Sequence, residues 1–204
     1  MFDNSARAAK EVVLTPVAAV LDRIHPTAVT AVSFVLGIIC VICAWQQLYI
    51  WSAVFWGLNR LADGLDGTVA RVHNKQSDFG GYIDILADFV IYAAVPVALV
   101  ISDPTFNRYV ALAYLLATYY INAASWMYLS AILEKRQHGA KRNREKTSVT
   151  MPVAIVGGVE TILGYLVFLI WNQQMTLWFV LMGSLVLVSV MQRLVWASRN
   201  LSEP

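Results

Sequence analysis

Charged residues are scarce in this chain. Only 14% of its 204 residues are Asp, Glu, Lys or Arg, whereas 58% are hydrophobic, and a soluble domain carries about 25% charged residues. The composition therefore excludes a soluble globular protein and indicates an integral membrane protein. The net charge is only +2, and we expect no nucleic-acid partner.

Cysteine is also scarce, and several other signals are missing. Cys40 and Cys43 lie in an apolar run without neighbouring histidines, which argues against a disulfide framework or zinc site and favours small packing residues. The chain lacks a convincing internal repeat, so an inverted-repeat transporter has no support. A cleavable signal peptide is not visible, and we expect the first spanning helix to stay in place.

Long apolar runs fill most of the chain. A transmembrane helix needs about 20 largely apolar residues, and six runs suit this length: Thr27–Trp45, Ile50–Val72, Gly80–Ile101, Tyr109–Leu133, Val149–Trp171 and Thr176–Ala197. Residues 5–24 mix apolar and charged positions, which predicts an amphipathic helix in the membrane interface, with a frayed tail as the alternative. The prediction is an all-α membrane protein with one domain over residues 1–204: a juxtamembrane helix in 1–25, a six-helix core in 26–198 and a tail in 199–204.

Positive charge is distributed unevenly across the six spans. Every Lys and Arg except Arg60 and Arg108 falls on one side, and the connections at 46–49 and 172–175 contain none. Because Lys and Arg favour cytoplasmic loops, we expect both termini and the connection between spans two and three to face the cytoplasm. The membrane would be the cell inner membrane.

Four aspartates interrupt the second and third spans. Asp63 and Asp66 are three residues apart, and Asp84 and Asp88 are four apart, so each pair shares a helix face. The short connection makes the two spans antiparallel neighbours, and both acidic faces can converge near the cytoplasmic boundary. An ionised carboxylate in a membrane helix costs about 2.5–3.5 kcal/mol on insertion scales. The four aspartates therefore require cations that neutralise their charge.

Oxygen ligands of this kind suit hard divalent cations such as Mg²⁺ or Mn²⁺. Two such ions, about 4 Å apart, can clamp a phosphoryl group. Gly67 and Gly80 would allow close approach of a substrate, and Arg71 supplies a planar cation for phosphate. The pattern indicates phosphoryl transfer. Arg60, one turn before Asp63, would balance the acids or reach a phosphate, and we favour charge balance.

These residues resemble the signature of the CDP-alcohol phosphotransferase family, Asp-x2-Asp-Gly-x2-Ala-Arg-x8-Gly-x3-Asp-x3-Asp. Its fixed positions are filled here by Asp63, Asp66, Gly67, Ala70, Arg71, Gly80, Asp84 and Asp88. The resemblance implies an enzyme of phospholipid biosynthesis that transfers a substituted phosphate group from a CDP-linked lipid, such as CDP-diacylglycerol, to a small alcohol. CMP is released, and a homodimer is the implied assembly.

The resemblance also implies roles for individual residues. Asp63, Asp66 and Asp84 would be metal ligands, and Asp88 would be the general base and a further contact of the second ion. The residues implied to hold the CDP moiety are Thr27, Thr30, Gly67, Ala70, Arg71, Ser77 and Gly80. Thr27 departs from the family's Pro-Asn-x-x-Thr motif, in which Asn stands at this position, whereas Thr30 matches it.

The acceptor alcohol is less clearly indicated. The stretch Gln76-Ser77-Asp78-Phe79-Gly80 is most similar to the phosphatidylserine synthase branch, which implies L-serine. That branch usually has Ser where this chain has Ile85, and Phe89 matches neither the Lys of phosphatidylglycerophosphate synthases nor the Arg of inositol-phosphate enzymes. Glycerol 3-phosphate, inositol phosphate and another small alcohol stay open as alternatives.

Three further residues are candidate acceptor contacts. Lys135 and Arg142 belong to a basic segment at 134–146 that would attract an anionic acceptor or lipid headgroups, and positive-inside bias is the alternative explanation. Glu160 lies in the middle of the fifth predicted span, where an acid is a functional candidate or pairs with a neighbouring helix.

A cation transporter and a non-catalytic membrane scaffold are the alternatives to an enzyme. A cation transporter would need acidic or polar residues at several depths, whereas these acids cluster near one end of their spans, beside Arg71. A non-catalytic membrane scaffold would not need the complete eight-position motif. The sequence therefore favours the metal-dependent transferase.

Overall fold

The computed structural model describes residues 13–136 and 155–201, and within these ranges the regular structure is helical, without strands. Residues 13–19 are helical. Six longer helices follow, which are α1 Pro26–Trp45, α2 Tyr49–Val72, α3 Asp78–Ser102, α4 Phe106–Lys135, α5 Gly158–Ile170 and α6 Met175–Asn200. The prediction of an all-α protein is confirmed.

Within the described ranges, three helical segments are long and apolar enough to cross a membrane, namely Pro26–Trp45, Asp78–Ser102 and Asn172–Asn200. α2, with 24 residues, and α4, with 30, are long enough at about 1.5 Å per residue to pass a hydrocarbon core about 30 Å thick. Their lower hydropathy has a simple cause in α2, which carries the charged residues of the acidic motif.

α5 begins later than the fifth span predicted from the sequence. Residues 155–157 are not helical, and the helix starts at Gly158, because consecutive glycines at 157 and 158 disfavour helical backbone. With 13 residues, α5 is only about 20 Å long. Glu160 consequently lies in the first turn, where the helix dipole favours an acid, and its predicted mid-span position is wrong. Residues 149–154 lie outside the described part.

The N-terminal helix is also shorter than predicted. Of the predicted range 5–24, residues 13–19 are helical and residues 20–24 form turns, while residues 5–12 lie outside the described part. The segment is attached to the end of α2, since a ring nitrogen of His73 lies 2.9 Å from the Ala18 carbonyl oxygen.

The two cysteines are free thiols. Cys40 is fully buried, and its sulfur lies 3.3 Å from the hydroxyl oxygen of Ser52 on α2. The interpretation of Cys40 as a small packing residue is therefore confirmed.

The chain forms two compact units. One is built on α1, α2, α3 and α5, where α1 packs against both α2 and α3, and α5 packs against α2. The other is built on α4 and α6, where the Tyr114 and Ser184 hydroxyl oxygens are 3.1 Å apart. All four aspartates of the acidic motif belong to the first unit.

Close packing of α1 depends on a glycine. A Cβ atom on Gly37 would lie 2.7 Å from Cδ1 of Ile91 and 3.1 Å from Nδ2 of Asn59, so α1 approaches α2 and α3 at the same level. Beside this point, Asn59 Nδ2 donates to the Ser33 carbonyl at 2.7 Å, and the Ser33 hydroxyl donates to the Asn59 carbonyl at 3.0 Å. The reciprocal bonds fix the register of α1 on α2.

Pro96 interrupts the hydrogen-bond ladder of α3. Because proline has no N–H, the carbonyl of Tyr92, four residues earlier, loses its helical partner. The Tyr165 hydroxyl of α5 donates to this carbonyl. Tyr165 is fully buried and stacks on Trp56 of α2, with ring centroids 4.7 Å apart. Tyr165 therefore fastens α5 to both α2 and α3.

We expect Tyr165→Phe to destabilise the protein by about 1–3 kcal/mol, because the buried Tyr92 carbonyl loses its donor. In a Pro96→Ala background the same change should cost less, since the alanine restores the helical N–H that proline lacks. Reversible unfolding in detergent, followed by circular dichroism, measures both costs. Tyr120→Phe, at a side chain that is 78% exposed, is the matched control. Equal costs in the two backgrounds would contradict the assignment.

Candidate active site

The four aspartates of the motif lie close together. The Asp63 carboxyl group on α2 is near enough to interact with those of Asp84 and Asp88 on α3. Asp66 is 5% exposed, whereas the side chains of Asp63 and Asp88 are 22% and 30% exposed. The predicted convergence of the two acidic faces is found, with the Asp66 side chain buried and the other three partly exposed.

Asp66 is held by a residue of α1. The Thr30 hydroxyl donates to Oδ2 of Asp66 at 2.6 Å, and both side chains are buried. A hydrogen bond to an ionised acceptor is stronger than a neutral one and offsets part of the cost of burying a carboxylate. Thr30 belongs to the predicted CDP-binding residues, and here its hydroxyl orients a predicted metal ligand.

Arg71 lies over a glycine in the last turn of α2. A Cβ atom on Gly67 would be 3.2 Å from Nη1 of Arg71, while Nη2 donates to the Thr68 hydroxyl at 3.2 Å. Ala70, the neighbouring motif residue, is also small. This turn therefore places a guanidinium directly over the Gly67 backbone.

Ser77 and Gly80 form the start of α3. The Ser77 hydroxyl accepts the backbone N–H of Gly80 at 3.0 Å, which is the usual N-cap bond. A Cβ atom on Gly80 would lie 3.0 Å from this oxygen, so the glycine makes room for the cap. Thr27, in the first turn of α1, donates its backbone N–H to Nδ1 of His25 at 3.3 Å. Ser77, Gly80 and Thr27 thus have local structural roles beside their predicted contacts with CDP.

The candidate acceptor contacts belong to different parts of the chain. Lys135 is the last residue of α4, in the second compact unit, and Glu160 lies in the first turn of α5, in the first unit. Arg142 lies outside the described residues, as does most of the basic segment. The three contacts stay predictions.

Arg60 forms ion pairs with two of the four aspartates. Its Nη2 atom lies 2.8 Å from Oδ1 of Asp88, and its Nη1 atom lies 3.9 Å from Oδ2 of Asp63. The Arg60 side chain is only 6% exposed, so solvent screens these interactions little. The contacts agree with charge balance, the interpretation favoured from the sequence.

Aromatic and amide groups enclose the same guanidinium. Its Nε donates to Oδ1 of Asn59 at 2.8 Å, and Nη1 donates to the Tyr92 hydroxyl at 3.0 Å. Its central carbon lies 4.9 Å from the ring centroids of both Trp56 and Tyr92, which is within the range of cation–π attraction. Sequence reasoning missed Asn59, Trp56 and Tyr92, although Tyr92 continues the four-residue spacing of Asp84 and Asp88.

The second unit contains another buried arginine that sequence reasoning missed. Arg193 of α6 is 4% exposed. Its Nη2 donates to Oδ1 of Asn122 at 2.5 Å, and its Nη1 donates to the Ser125 hydroxyl at 3.2 Å. Asn122 and Ser125 both lie on α4, so Arg193 joins α6 to α4.

The donor set fits a hard divalent cation in its chemistry. All four motif acids offer carboxylate oxygens, and Arg60 supplies one positive charge against them. Across residues 13–136 and 155–201, however, His, Cys, Asp and Glu side chains do not form a group of three or more already placed to hold a metal ion. Asp88 instead contacts Arg60, and Asp66 contacts Thr30. Bound ions would require these carboxyl groups to turn.

Comparison with known proteins identifies related sequences. A family model described as CDP-alcohol phosphatidyltransferase matches residues 23–192. The chain is 35% identical over 120 residues to the inner membrane protein YnjF of Escherichia coli K12, covering 58% of this chain and 57% of YnjF. It is 34% identical over 73 residues to the CDP-diacylglycerol–serine O-phosphatidyltransferase of Helicobacter pylori J99, covering 36% of this chain and 31% of that protein. The chain thus matches less than two thirds of either relative.

Solved structures share the fold. The crystal structure of Mycobacterium tuberculosis phosphatidylinositol phosphate synthase PgsA1 with CDP-DAG bound gives a TM-score of 0.70 at 20% identity, over 94% of this chain and 97% of that one. The same protein in complex with manganese and citrate gives 0.69 at 20% identity, over 94% and 92%. At this identity the likeness establishes the fold.

We expect Thr30→Val to destabilise the protein by about 1.5–3 kcal/mol, because the buried Asp66 carboxylate loses a charge-assisted hydrogen bond. Thr30→Ser keeps the hydroxyl and should retain most of this stability. Unfolding in detergent without added metal measures the difference, separately from any role of Thr30 in binding CDP. Equal stabilities of the Val and Ser variants would show that the bond to Asp66 contributes little.

Proposed function

Because the chain belongs to the CDP-alcohol phosphatidyltransferase family, we propose that it transfers a phosphatidyl group from a CDP-linked lipid, such as CDP-diacylglycerol, to a small alcohol and releases CMP. The observation that carries this proposal is the meeting of the four motif aspartates of α2 and α3 at one site. The fold relative PgsA1 has been solved with CDP-DAG bound, which supports a CDP-linked lipid as donor.

Asp63, Asp66, Asp84 and Asp88 would hold two divalent cations, Mg²⁺ or Mn²⁺. When bound, such ions neutralise phosphate charge and stabilise the oxygens of an in-line displacement. The support is the all-carboxylate donor set and the manganese complex of PgsA1. Thr30 would keep Asp66 in position for this role.

Asp88 is the proposed general base. Its carboxylate would take the proton of the acceptor hydroxyl as the hydroxyl oxygen forms a bond to the β-phosphorus of the CDP-linked lipid. The bond between that phosphorus and the oxygen bridging to CMP breaks, and CMP leaves with the electron pair. The partial exposure of Asp88 lets it reach an acceptor.

The CDP moiety would bind near the starts of α1 and α3 and the end of α2. The proposed contacts are Thr27, Thr30, Gly67, Ala70, Arg71, Ser77 and Gly80. The placement of Arg71 over Gly67 supports a phosphate contact at the end of α2.

L-Serine is the proposed acceptor. The support is the stretch at residues 76–80 and the similarity to the serine enzyme of H. pylori. Glycerol 3-phosphate, inositol phosphate and another small alcohol are the alternatives, and inositol phosphate has the support that the fold relative is a phosphatidylinositol phosphate synthase. Lys135, Arg142 and Glu160 are the proposed acceptor contacts.

We further propose six membrane passages and an interfacial N-terminal helix in the cell inner membrane, as a homodimer with its termini and active site facing the cytoplasm. The lengths of α2 and α4 and the one-sided distribution of Lys and Arg support this placement. Cysteine labelling from either side tests the orientation, and light scattering of the detergent-solubilised protein tests the dimer.

The proposed activity predicts metal-dependent CMP release from CDP-diacylglycerol. Purified protein in detergent is incubated with Mg²⁺ or Mn²⁺ and, in separate reactions, with serine, glycerol 3-phosphate or inositol phosphate, and CMP is measured by chromatography. We expect CMP with serine and its loss with EDTA. CMP release with one of the other alcohols would identify that alcohol as the acceptor instead of serine. No CMP release with any of them would contradict the proposed transferase activity.

Asp88→Asn should lower kcat by about 10²–10⁴-fold, the usual contribution of a general base, and should leave CDP binding largely intact. Asp78→Asn is the matched control, since Asp78 is an exposed acid in the first turn of the same helix. Near-normal turnover by the Asp88 variant would contradict the base assignment.

A further inference from the structure

Arg60 is held in place by groups other than the acids it pairs with. Asn59 accepts its Nε–H, and the Tyr92 hydroxyl accepts from Nη1. The rings of Trp56 and Tyr92 both lie 4.9 Å from its central carbon. These contacts keep a buried guanidinium compensated even if its pair with Asp88 is broken.

The supports of Arg60 are themselves anchored. The Asn59 amide donates to the Ser33 carbonyl on α1, and the Tyr92 carbonyl accepts from Tyr165 on α5. Trp56 donates its indole N–H to the Ile162 carbonyl at 3.1 Å. These contacts therefore hold the Arg60 guanidinium in place, whereas the side chain of Asp88 is 30% exposed.

We propose that Arg60 is a positioning residue that acts as the internal counter-ion of the metal-free site and competes with divalent cations for the Asp88 carboxylate. This inference rests on the proposed function, in which Asp88 is both a metal contact and the base. In the absence of metal, Arg60 holds Asp88 and Asp63. When an ion binds, Asp88 exchanges the Arg60 bond for the ion, while Arg60 stays between its two aromatic rings.

The competition has a definite electrostatic sign. A fixed positive charge next to the ligands repels a divalent cation, and it also occupies one of their oxygens in the free protein. Arg60 therefore lowers the metal affinity of the acidic cluster while preventing four carboxylates from repelling one another in the free protein. A side chain that served only as a packing support would have the opposite effect, since its removal would disorder the ligands and weaken metal binding.

Direct metal binding by two Arg60 variants tests the proposal. Arg60→Gln removes the charge and keeps a hydrogen-bonding amide, whereas Arg60→Lys keeps the charge and is the matched control. We expect Arg60→Gln to bind Mn²⁺ about tenfold more tightly than the wild-type protein, and Arg60→Lys, which keeps the positive charge, to stay within about threefold of it. Electron paramagnetic resonance of free Mn²⁺ measures this without substrates, and circular dichroism checks folding.

A wild-type measurement covers the case in which Arg60→Gln does not fold. In protein labelled with ¹⁵N-arginine, the Nη resonances of Arg60, identified by their absence in Arg60→Lys, should shift when Mg²⁺ saturates the site. Resonances that stay unchanged at saturation would overturn the proposal, as would wild-type or weaker Mn²⁺ affinity in a folded Arg60→Gln variant.

The results also separate this inference from the proposed function. Wild-type protein that binds Mn²⁺ and releases CMP, with a folded Arg60→Gln variant of unchanged affinity, overturns the role of Arg60 alone. Wild-type protein that binds no Mn²⁺ overturns the metal-dependent function and the inference together. Tighter Mn²⁺ binding by Arg60→Gln without CMP release from the wild-type protein supports the counter-ion role and contradicts the reaction.

Discussion

The first compact unit must balance the mutual repulsion of carboxylates that α2 and α3 bring to one place. Asp63, Asp84 and Asp88 lie within interaction range of one another, and Arg60 is the cation that contacts two of them directly. A buried charge pair is stable only when its remaining hydrogen-bonding groups are satisfied as well. The Asn59 amide and the surrounding rings meet this requirement for Arg60.

Support for this pair extends to the neighbouring helices. Asn59 connects Arg60 to α1 through Ser33, and Tyr92 connects it to α5 through Tyr165. The absence of a side chain on Gly37 brings α1 close enough for the first of these connections. The polar network and the helix packing are thus parts of one arrangement, in which Asn59 and Tyr92 anchor α2 and α3 one turn from Asp63 and Asp88.

Sequence reasoning succeeded where the relevant spacing is local. The aspartates of each pair share a helix face because they are three or four residues apart, and a short connection brings the two faces together. The Thr30–Asp66 bond was not predictable in this way, since it joins residues 36 positions apart and depends on how α1 packs. The start of α5 was missed because hydropathy counts apolar composition, whereas the glycines at 157 and 158 act on the backbone.

The sequence indicated which residues lie at the site, but it did not indicate which of them contact one another. Arg60 was expected near the acids because it lies one turn from Asp63. That Asp88 is the nearer of its two partners depends on how closely α3 approaches α2. A sequence motif predicts which side chains are present at a site. Their pairing when no ion is bound depends on the three-dimensional balance of charge, and the sequence pattern does not contain it.

The N-cap of α3 would link the proposed nucleotide contact at Ser77 to the position of Asp84. The Ser77 oxygen accepts the Gly80 N–H, but its own proton is still able to be donated. A hydroxyl that donates becomes a better acceptor, because linked hydrogen bonds polarise one another. A phosphate or ribose oxygen that takes this proton would therefore tighten the first turn of α3, and Asp84, one turn beyond Gly80, would be held more rigidly whenever the nucleotide is present.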